Sequence, residues 1–318
     1  MDEPVYPHLP ELEMINVLSR NDASDAASQP FLLKPATNKI TLRHLLSHSS
    51  GIDHEGNATI TEWRASRGEK PKIGFHVSRE YKSPKLYPDA EVFSSPLLFE
   101  PGEGWAYGAS VDWTACLISR LTKQSLVEYV TEHIFLPLGM SSCTYTLQND
   151  PDIASSMLHM VFRKEGVLLS AGYRLEELIA SVPDLSTLLV DLISPSSKLL
   201  QKEHIDLLFA PQFAPGSAAQ RYIHHDTENY AAPAGLHPTM KEAPVNHSLA
   251  ALVVEEKLPL SGMPAGTVTW NGMPNVIWAM HQEKGLAMIF ATQMLPVDDE
   301  KTMALAMAFF KGAWETFG

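Results

Sequence analysis

Apolar residues recur at helical spacing through the middle of the chain and gather into short runs near its end. Thr41 precedes Leu42, Leu45 and Leu46, so its hydroxyl can cap a short helix through His44 that Gly51 closes. Val111, Ala115, Ile118 and Leu121 repeat every three or four residues and predict a second helix, with Ser110 as its N-cap. Ser125 and Glu128 have the spacing of a capping box for a third helix, which carries Leu126, Tyr129 and Val130 and stops at Pro137 and Gly139. Ser181 and Asp184 repeat that device before the apolar stretch 185–193, and 199–209 suggests a further helix.

Towards the C-terminus the pattern changes. Residues 267–270, 275–281 and 286–294 read as strands, the last two joined as a hairpin by Gln282-Glu283-Lys284-Gly285. Segment 248–255 is apolar without clean alternation, as a buried strand is. Asp298 or Asp299 then caps a C-terminal helix with Met303, Leu305, Ala308, Phe309 and Trp314 as its apolar positions. A terminal helix on antiparallel strands, after a helix-rich middle, is an α+β pattern. It is read as one domain over 1–318, with 40–210 mainly helical and 248–318 holding the sheet and last helix. Pro4, Pro7, Pro10, Pro30 and Pro35 break 1–38 into loop with a little helix. Residues 53–98 read as a helical insert with an extended connection, and 211–247 as a long irregular segment.

Composition narrows the function classes. With 318 residues and 45% apolar content the chain can bury a sizeable core, and 19% charged residues mark it as globular. The formal net charge of −13, unopposed by any Lys/Arg cluster, repels phosphate backbones and anionic head groups. No nucleic-acid or membrane partner is therefore expected, and no apolar run is long enough to span a bilayer. The start Met1-Asp2-Glu3-Pro4 is not a signal peptide. The two cysteines, Cys116 and Cys143, read as buried thiols, with a disulfide left open; their scarcity fits a reducing, cytoplasmic compartment. His44 and His48 are spaced four apart, but no glutamate follows His44 as in a zinc protease, so both read as structural and no metal or other cofactor is expected. His224-His225-Asp226 reads as a solvated loop, and Met273, Met280, Met288 and Met294 as core fillers.

Three blocks carry a family resemblance. Ile40-Thr41-Leu42-Arg43-His44-Leu45-Leu46-Ser47-His48-Ser49-Ser50-Gly51 is the first. Phe99-Glu100-Pro101-Gly102 leading to Trp105-Ala106-Tyr107-Gly108-Ala109-Ser110, then Pro137-Leu138-Gly139-Met140, is the second. Thr269-Trp270-Asn271-Gly272-Met273-Pro274-Asn275 is the third. Together they resemble the serine β-lactamase-related superfamily of esterases, transesterases and penicillin-binding-protein relatives. Tyr107-Gly108-Ala109-Ser110-Val111-Asp112-Trp113 and Gly272-Met273-Pro274-Asn275-Val276-Ile277-Trp278 are most similar to fungal acyltransferases that esterify statin-type polyketides.

The resemblance implies a β-lactamase/transpeptidase-like fold, an antiparallel sheet flanked by the terminal helix and a helical region. It also implies a Ser-x-x-Lys helix and first strands ahead of Asp2-Glu3-Pro4-Val5. No serine in the chain stands three residues before a lysine, and no Gly-x-Ser-x-Gly elbow replaces the motif, so the chain reads as N-terminally truncated. By resemblance Tyr107 is the second-motif tyrosine, an acid–base group whose phenol needs nearby positive charge to act as a base. Trp270, Asn271, Gly272 and Met273 form the third motif, the side chain missing at Gly272 leaving room for an acyl group and the N–H of Met273 or Gly272 serving as an oxyanion donor. Asn271 stands where relatives carry Gly or Thr, and Leu175-Glu176-Glu177-Leu178-Ile179 replaces their glycine-rich turn.

Taken alone, Tyr107 before a helix and Trp270 in a strand would be packing residues; the motif context makes them site residues. The implied function is acyl transfer or ester hydrolysis in secondary metabolism on a polyketide-like ester or thioester, which an acyl carrier could deliver. The alternatives are an inactive pseudoenzyme and a non-covalent catalyst using Tyr107 as general acid. A further copy of the chain could cover the sheet edge exposed by truncation.

Overall fold

In the computed structural model the described residues are 1–22, 29–54, 57–70, 95–171, 178–225 and 243–318. They group into two compact units, Met1–Tyr129 with Phe213–Ile223, and Val130–Gln212 with His224–Gly318.

The first unit is built on buried apolar residues from distant points of the chain. Val5, Leu9, Leu12, Ile40, Leu45, Ile52, Leu97, Trp113, Cys116 and Leu117 form one cluster. Thr41 caps the helix Leu42–Leu46 as its position predicts, accepting from the His44 N–H while the His44 side chain accepts from the Thr41 N–H. Helix Ser110–Thr122 also forms, but turns a different face inward. Trp113, Cys116 and Leu117 are buried, whereas Val111 and Leu121 are more than half exposed. The helix is apolar on two sides, and Trp113 offers more area to bury than the alternative stripe. Its N-cap is Ala109, with Ser110 inside the first turn.

Residues 1–38, expected as loop with a little helix, hold an antiparallel pair, β1 (Asn16–Arg20) and β2 (Phe31–Pro35). Leu18 and Phe31 pack with Ile60, and Leu18 N–H donates to Leu97 O (2.8 Å). The strand is stabilised by residues far along the chain, which the local proline punctuation hides. Helix Ala58–Ser66 matches the helical part of the expected insert; the connection over 71–94 lies outside the described residues.

In the second unit the strands in chain order are β3 (Cys143–Thr144), β4 (Val161–Lys164), β5 (Val167–Ser170), β6 (Ile179–Ala180), β7 (Val245–His247), β8 (Leu252–Val254), β9 (Val268–Gly272), β10 (Val276–His281), β11 (Leu286–Phe290) and β12 (Met294–Leu295). Among the described residues β11-β10-β9-β8-β7 form an antiparallel sheet, bearing out the α+β reading. The 275–290 hairpin forms through Gln282–Gly285, with Gly285 at φ +59. Ser181 caps the helix Val182–Ile193, whose Leu189 and Ile193 pack with Ala251, Val253, Val268 and Met280.

Several expectations are corrected here. The run 286–294 is two strands, because β12 leaves the main sheet to pair parallel with β4. The segment 211–247 contains helix Ala218–His225, which takes in His224 and His225, and strand β7; residues 226–242, with Asp226, lie outside the described residues. Asp299 caps helix Glu300–Phe317 and binds Arg163 of β4 (2.8 Å), but the buried stripe is Thr302, Ala306, Phe310 and Trp314. Leu305 and Phe309 face outward. As in the other mispredicted helix, apolar residues on two sides left the stripe ambiguous. Met280 and Met288 are core residues; Met273 is 37% exposed and is not.

Candidate functional site

Tyr107 lies on the loop that enters helix Ser110–Thr122, in the first unit, and its side chain is 42% exposed. Two histidine rings flank it. The His48 ring centre is 4.9 Å from that of Tyr107, tilted by 52°, and the His54 ring lies edge-on at 5.7 Å and 74°. The loops are tied by backbone: Ala106 N–H donates to His48 O (3.0 Å) and Gly108 N–H to His48 Nδ1 (3.4 Å). With Nδ1 accepting, neutral His48 carries its proton on Nε2.

Gly108 is a glycine by necessity. A Cβ there would fall 2.4 Å from both Asp53 Cα and Ile52 O. Below it the buried hydroxyls of Ser50 and Ser110 share a hydrogen bond (2.8 Å), and Ile52 N–H donates to Ser50 Oγ (3.1 Å). The Asp53 carboxylate accepts from His54 N–H (2.5 Å) and from Asn57 Nδ2 (2.7 Å), while Asn57 Oδ1 caps helix Ala58–Ser66. Burial holds the His54 pKa below the ordinary imidazole value, so His54 is neutral at pH 7. His44 and His48 do not share a helical face, because the helix ends at Leu46 and His48 takes a left-handed φ of +54°. Among the described residues no group of three or more His, Cys, Asp or Glu is arranged to hold a metal. Cys116 and Cys143 are both free thiols; Cys116 is buried and Cys143 only partly so, and burial first of all raises their pKa values to about 11 and about 12.

In the second unit, Trp270, Asn271, Gly272 and Met273 come together at the end of β9. Thr269 Oγ1 donates to Trp278 O (2.8 Å), pinning the strand to β10. Trp270 stands opposite Trp278 and packs on the Leu189–Ile193 cluster, edge-on to His247 at 6.0 Å. Asn271 and Gly272 are half-buried and Met273 is exposed. A Cβ on Gly272 would meet only Val276 Cβ at 3.8 Å and Pro274 Cδ at 3.9 Å, ordinary contacts, so the fold itself does not require glycine there. The following turn is held by buried Asn275, at φ +58°. Its Nδ2 donates to Met294 O and Pro296 O (2.9 Å each), and its Oδ1 accepts from Asp298 N–H (2.8 Å). His247 hydrogen-bonds Ser248 O through Nδ1 (2.6 Å), and burial pushes its pKa down to about 4.

The sequence reading names Tyr107 and the 270–273 group but neither His54 nor His247, which the structure sets against Tyr107 and Trp270. Neither lies in a motif, and each reaches its aromatic neighbour only through the fold. The histidine just past the Ser49-Ser50-Gly51 turn was a signal available to find His54. The segment 175–179, read as replacing the glycine-rich turn of relatives, falls largely outside the described residues.

The beta-lactamase family model matches residues 1–310. Acyltransferase calJ of Penicillium decumbens is 29% identical over all of this chain and 75% of its own length. The lovastatin esterase of Penicillium rubens is 27% identical over 86% of this chain and 69% of its own. Among solved structures, a mutant of simvastatin synthase from Aspergillus terreus superposes with a TM-score of 0.81 at 26% identity, over 99% of this chain and 77% of that one. No helix among the described residues is long and apolar enough to cross a membrane.

Proposed function

Because the chain belongs to the beta-lactamase family, we propose that it is an acyltransferase or esterase of secondary metabolism, acting on a polyketide-like ester or thioester. Its relatives include a fungal acyltransferase and a fungal esterase, both chemistries that pass through a tetrahedral acyl centre. The acyl donor is a small molecule or a carrier-bound thioester.

Tyr107 is the acid–base group. The observation that supports this is its part-exposed ring, within the second motif block, on a loop held by the close approach of Gly108 to Ile52 and Asp53 and by the Ser50–Ser110 hydrogen bond. Trp270 and Met273 form an apolar wall for the acyl chain. Asn271 offers an amide, and Gly272 leaves the backbone open to close approach of a ligand.

The test is turnover of p-nitrophenyl and acyl-thioester substrates by the full chain, with intact-mass detection of any acyl adduct. Turnover that falls by about 100-fold or more in Tyr107→Phe, with the fold retained, is expected for a general acid–base group. Equal turnover by Tyr107→Phe removes the tyrosine from the mechanism. Absence of both turnover and adduct with every ester and thioester tried removes the acyl-transfer reading.

A further inference from the structure

Helix Val182–Ile193 and helix Lys202–Phe209 are joined by a loop that folds onto one buried carboxylate. Asp191, 9% exposed, accepts from Ser197 Oγ (2.6 Å) and from the Lys198 N–H (2.8 Å). Ser197 Oγ in turn accepts from the N–H groups of Leu199 and Leu200 (3.1 Å each). A carboxylate is costly to bury, and here both its oxygens hold 197–200 in one conformation. That loop and the β10–β11 turn at Gln282 and Glu283 line a cavity of about 840 Å³, a size suited to a small organic molecule. Part of the lining is apolar: Ile193 and Ile205 are buried, and Leu199 and Leu200 half-buried. Its charged groups are Lys198, Lys202 and Glu283, two ammonium groups against one carboxylate on a chain of net charge −13. Lys202 is paired with Asp206 (2.7 Å), whereas Lys198 has no carboxylate partner among the described residues.

We propose that this cavity binds an amphipathic carboxylate, its apolar chain along Ile193, Leu199, Leu200 and Ile205 and its head group at Lys198. The pinned loop favours binding, because a wall already ordered loses little freedom when a ligand meets it. The Lys198 ammonium offers charge-assisted hydrogen bonds that a neutral head group cannot match. The apolar lining selects against a small anion that carries no chain. The site is distinct from the 270–273 group. Its turn follows His281 at one end of β10, whereas Gly272 pairs with Val276 at the other, about 17 Å away along an extended strand. A molecule in the cavity leaves that group free, so the site goes beyond the acyl-transfer reading and does not depend on it.

The test is methyl NMR of the full chain, labelled at isoleucine Cδ1 and leucine Cδ, titrated with octanoate, 1-octanol and acetate. Octanoate should shift the methyl signals of Ile193, Leu199, Leu200 and Ile205 saturably, with a Kd of about 1 mM for so small a probe. Octanol has the chain without the charge and acetate the charge without the chain, so each should bind at least about tenfold more weakly. Lys198→Gln should weaken octanoate binding by about tenfold as well. Lys198 is exposed, so its replacement leaves the packing intact, and unchanged methyl signals elsewhere in the spectrum check this. No saturable shift of these residues at about 10 mM octanoate overturns the proposal. Equal shifts spread over exposed methyl groups throughout the chain overturn it too. Octanol binding as tightly as octanoate, or Lys198→Gln binding octanoate unchanged, overturns the carboxylate assignment. Acetate binding as tightly as octanoate overturns the role of the apolar lining.

Discussion

The loop that carries Tyr107 and the strand that carries Trp270 to Met273 hold their side chains in place by opposite means. Around Tyr107 the backbone does the holding: two N–H groups close on His48, two buried serines join hydroxyls, and Gly108 lies where no side chain fits. At β9 the ladder with β10 and the apolar layer below do it, and Gly272 has room to spare. The same residue type is thus demanded by the fold in one region and left over by it in the other. A glycine that packing does not require, at the end of a strand, is where the proposed approach of an acyl group can be tested without unfolding the protein.

The largest expected effect breaks the first region. Gly108→Ala puts a Cβ 2.4 Å from backbone atoms of Ile52 and Asp53, which cannot swing aside as a side chain would. A loss of about 3 kcal/mol or more is expected in urea unfolding, or no folded protein at all. A variant of wild-type stability would mean that the loops separate freely, and the rigid setting of Tyr107 would fall with it.

Acid tests the second region by a different route. His247 is fully buried beside Trp270, with a pKa of about 4 against an ordinary 6.5. A lowered histidine pKa means that the unfolded chain takes up the proton first. The stability from keeping His247 neutral is therefore complete above pH 6.5, is lost as pH falls towards 4, and amounts to about 3 kcal/mol over that window. Urea midpoints between pH 7 and 4.5 should fall accordingly, and His247→Gln should flatten the slope. In the first unit His54 and His44 are shifted the same way by burial, so local probes such as Trp270 fluorescence are needed to assign the change.

How far each region was legible beforehand follows from the same contrast. Caps are local, so Thr41, Ser181 and Asp299 were readable from two or three neighbouring residues. The 275–290 hairpin was readable for the same reason, and the three motif blocks carried the family, with Tyr107 and 270–273 inside them. What failed was non-local. β1 and β2 depend on Leu97 and Ile60, the split of the last strand on β4, and the Tyr107–His54 contact on two loops meeting. Both mispredicted helix faces had apolar residues on two sides, so periodicity alone had no means of choosing between Trp113 and Val111, or between Phe310 and Phe309.

A smaller effect sharpens the account of the first region. Ser50 Oγ serves both Ser110 and the Ile52 N–H, whereas Ser110 Oγ meets Ser50. Ser50→Ala leaves two buried polar groups short and should cost about 2 kcal/mol; Ser110→Ala should cost about 1. Equal costs in denaturant melts would show that the Ile52 bond contributes nothing and that the hydroxyl pair alone ties the loops.

The smallest stability effect is the most informative about function. Gly272→Ala adds a methyl group that touches only Val276 and Pro274 at van der Waals distance, so the folded protein should change by less than about 1 kcal/mol, with a gain in stability as reasonable as a loss. If Gly272 is bare because an acyl group must approach the backbone there, the same methyl group should lower ester turnover by at least about tenfold, while the melt stays put. Intact activity in a stable Gly272→Ala protein would return this glycine to the bland role of a strand end. The exposure of Met273 beside it would then need another reason.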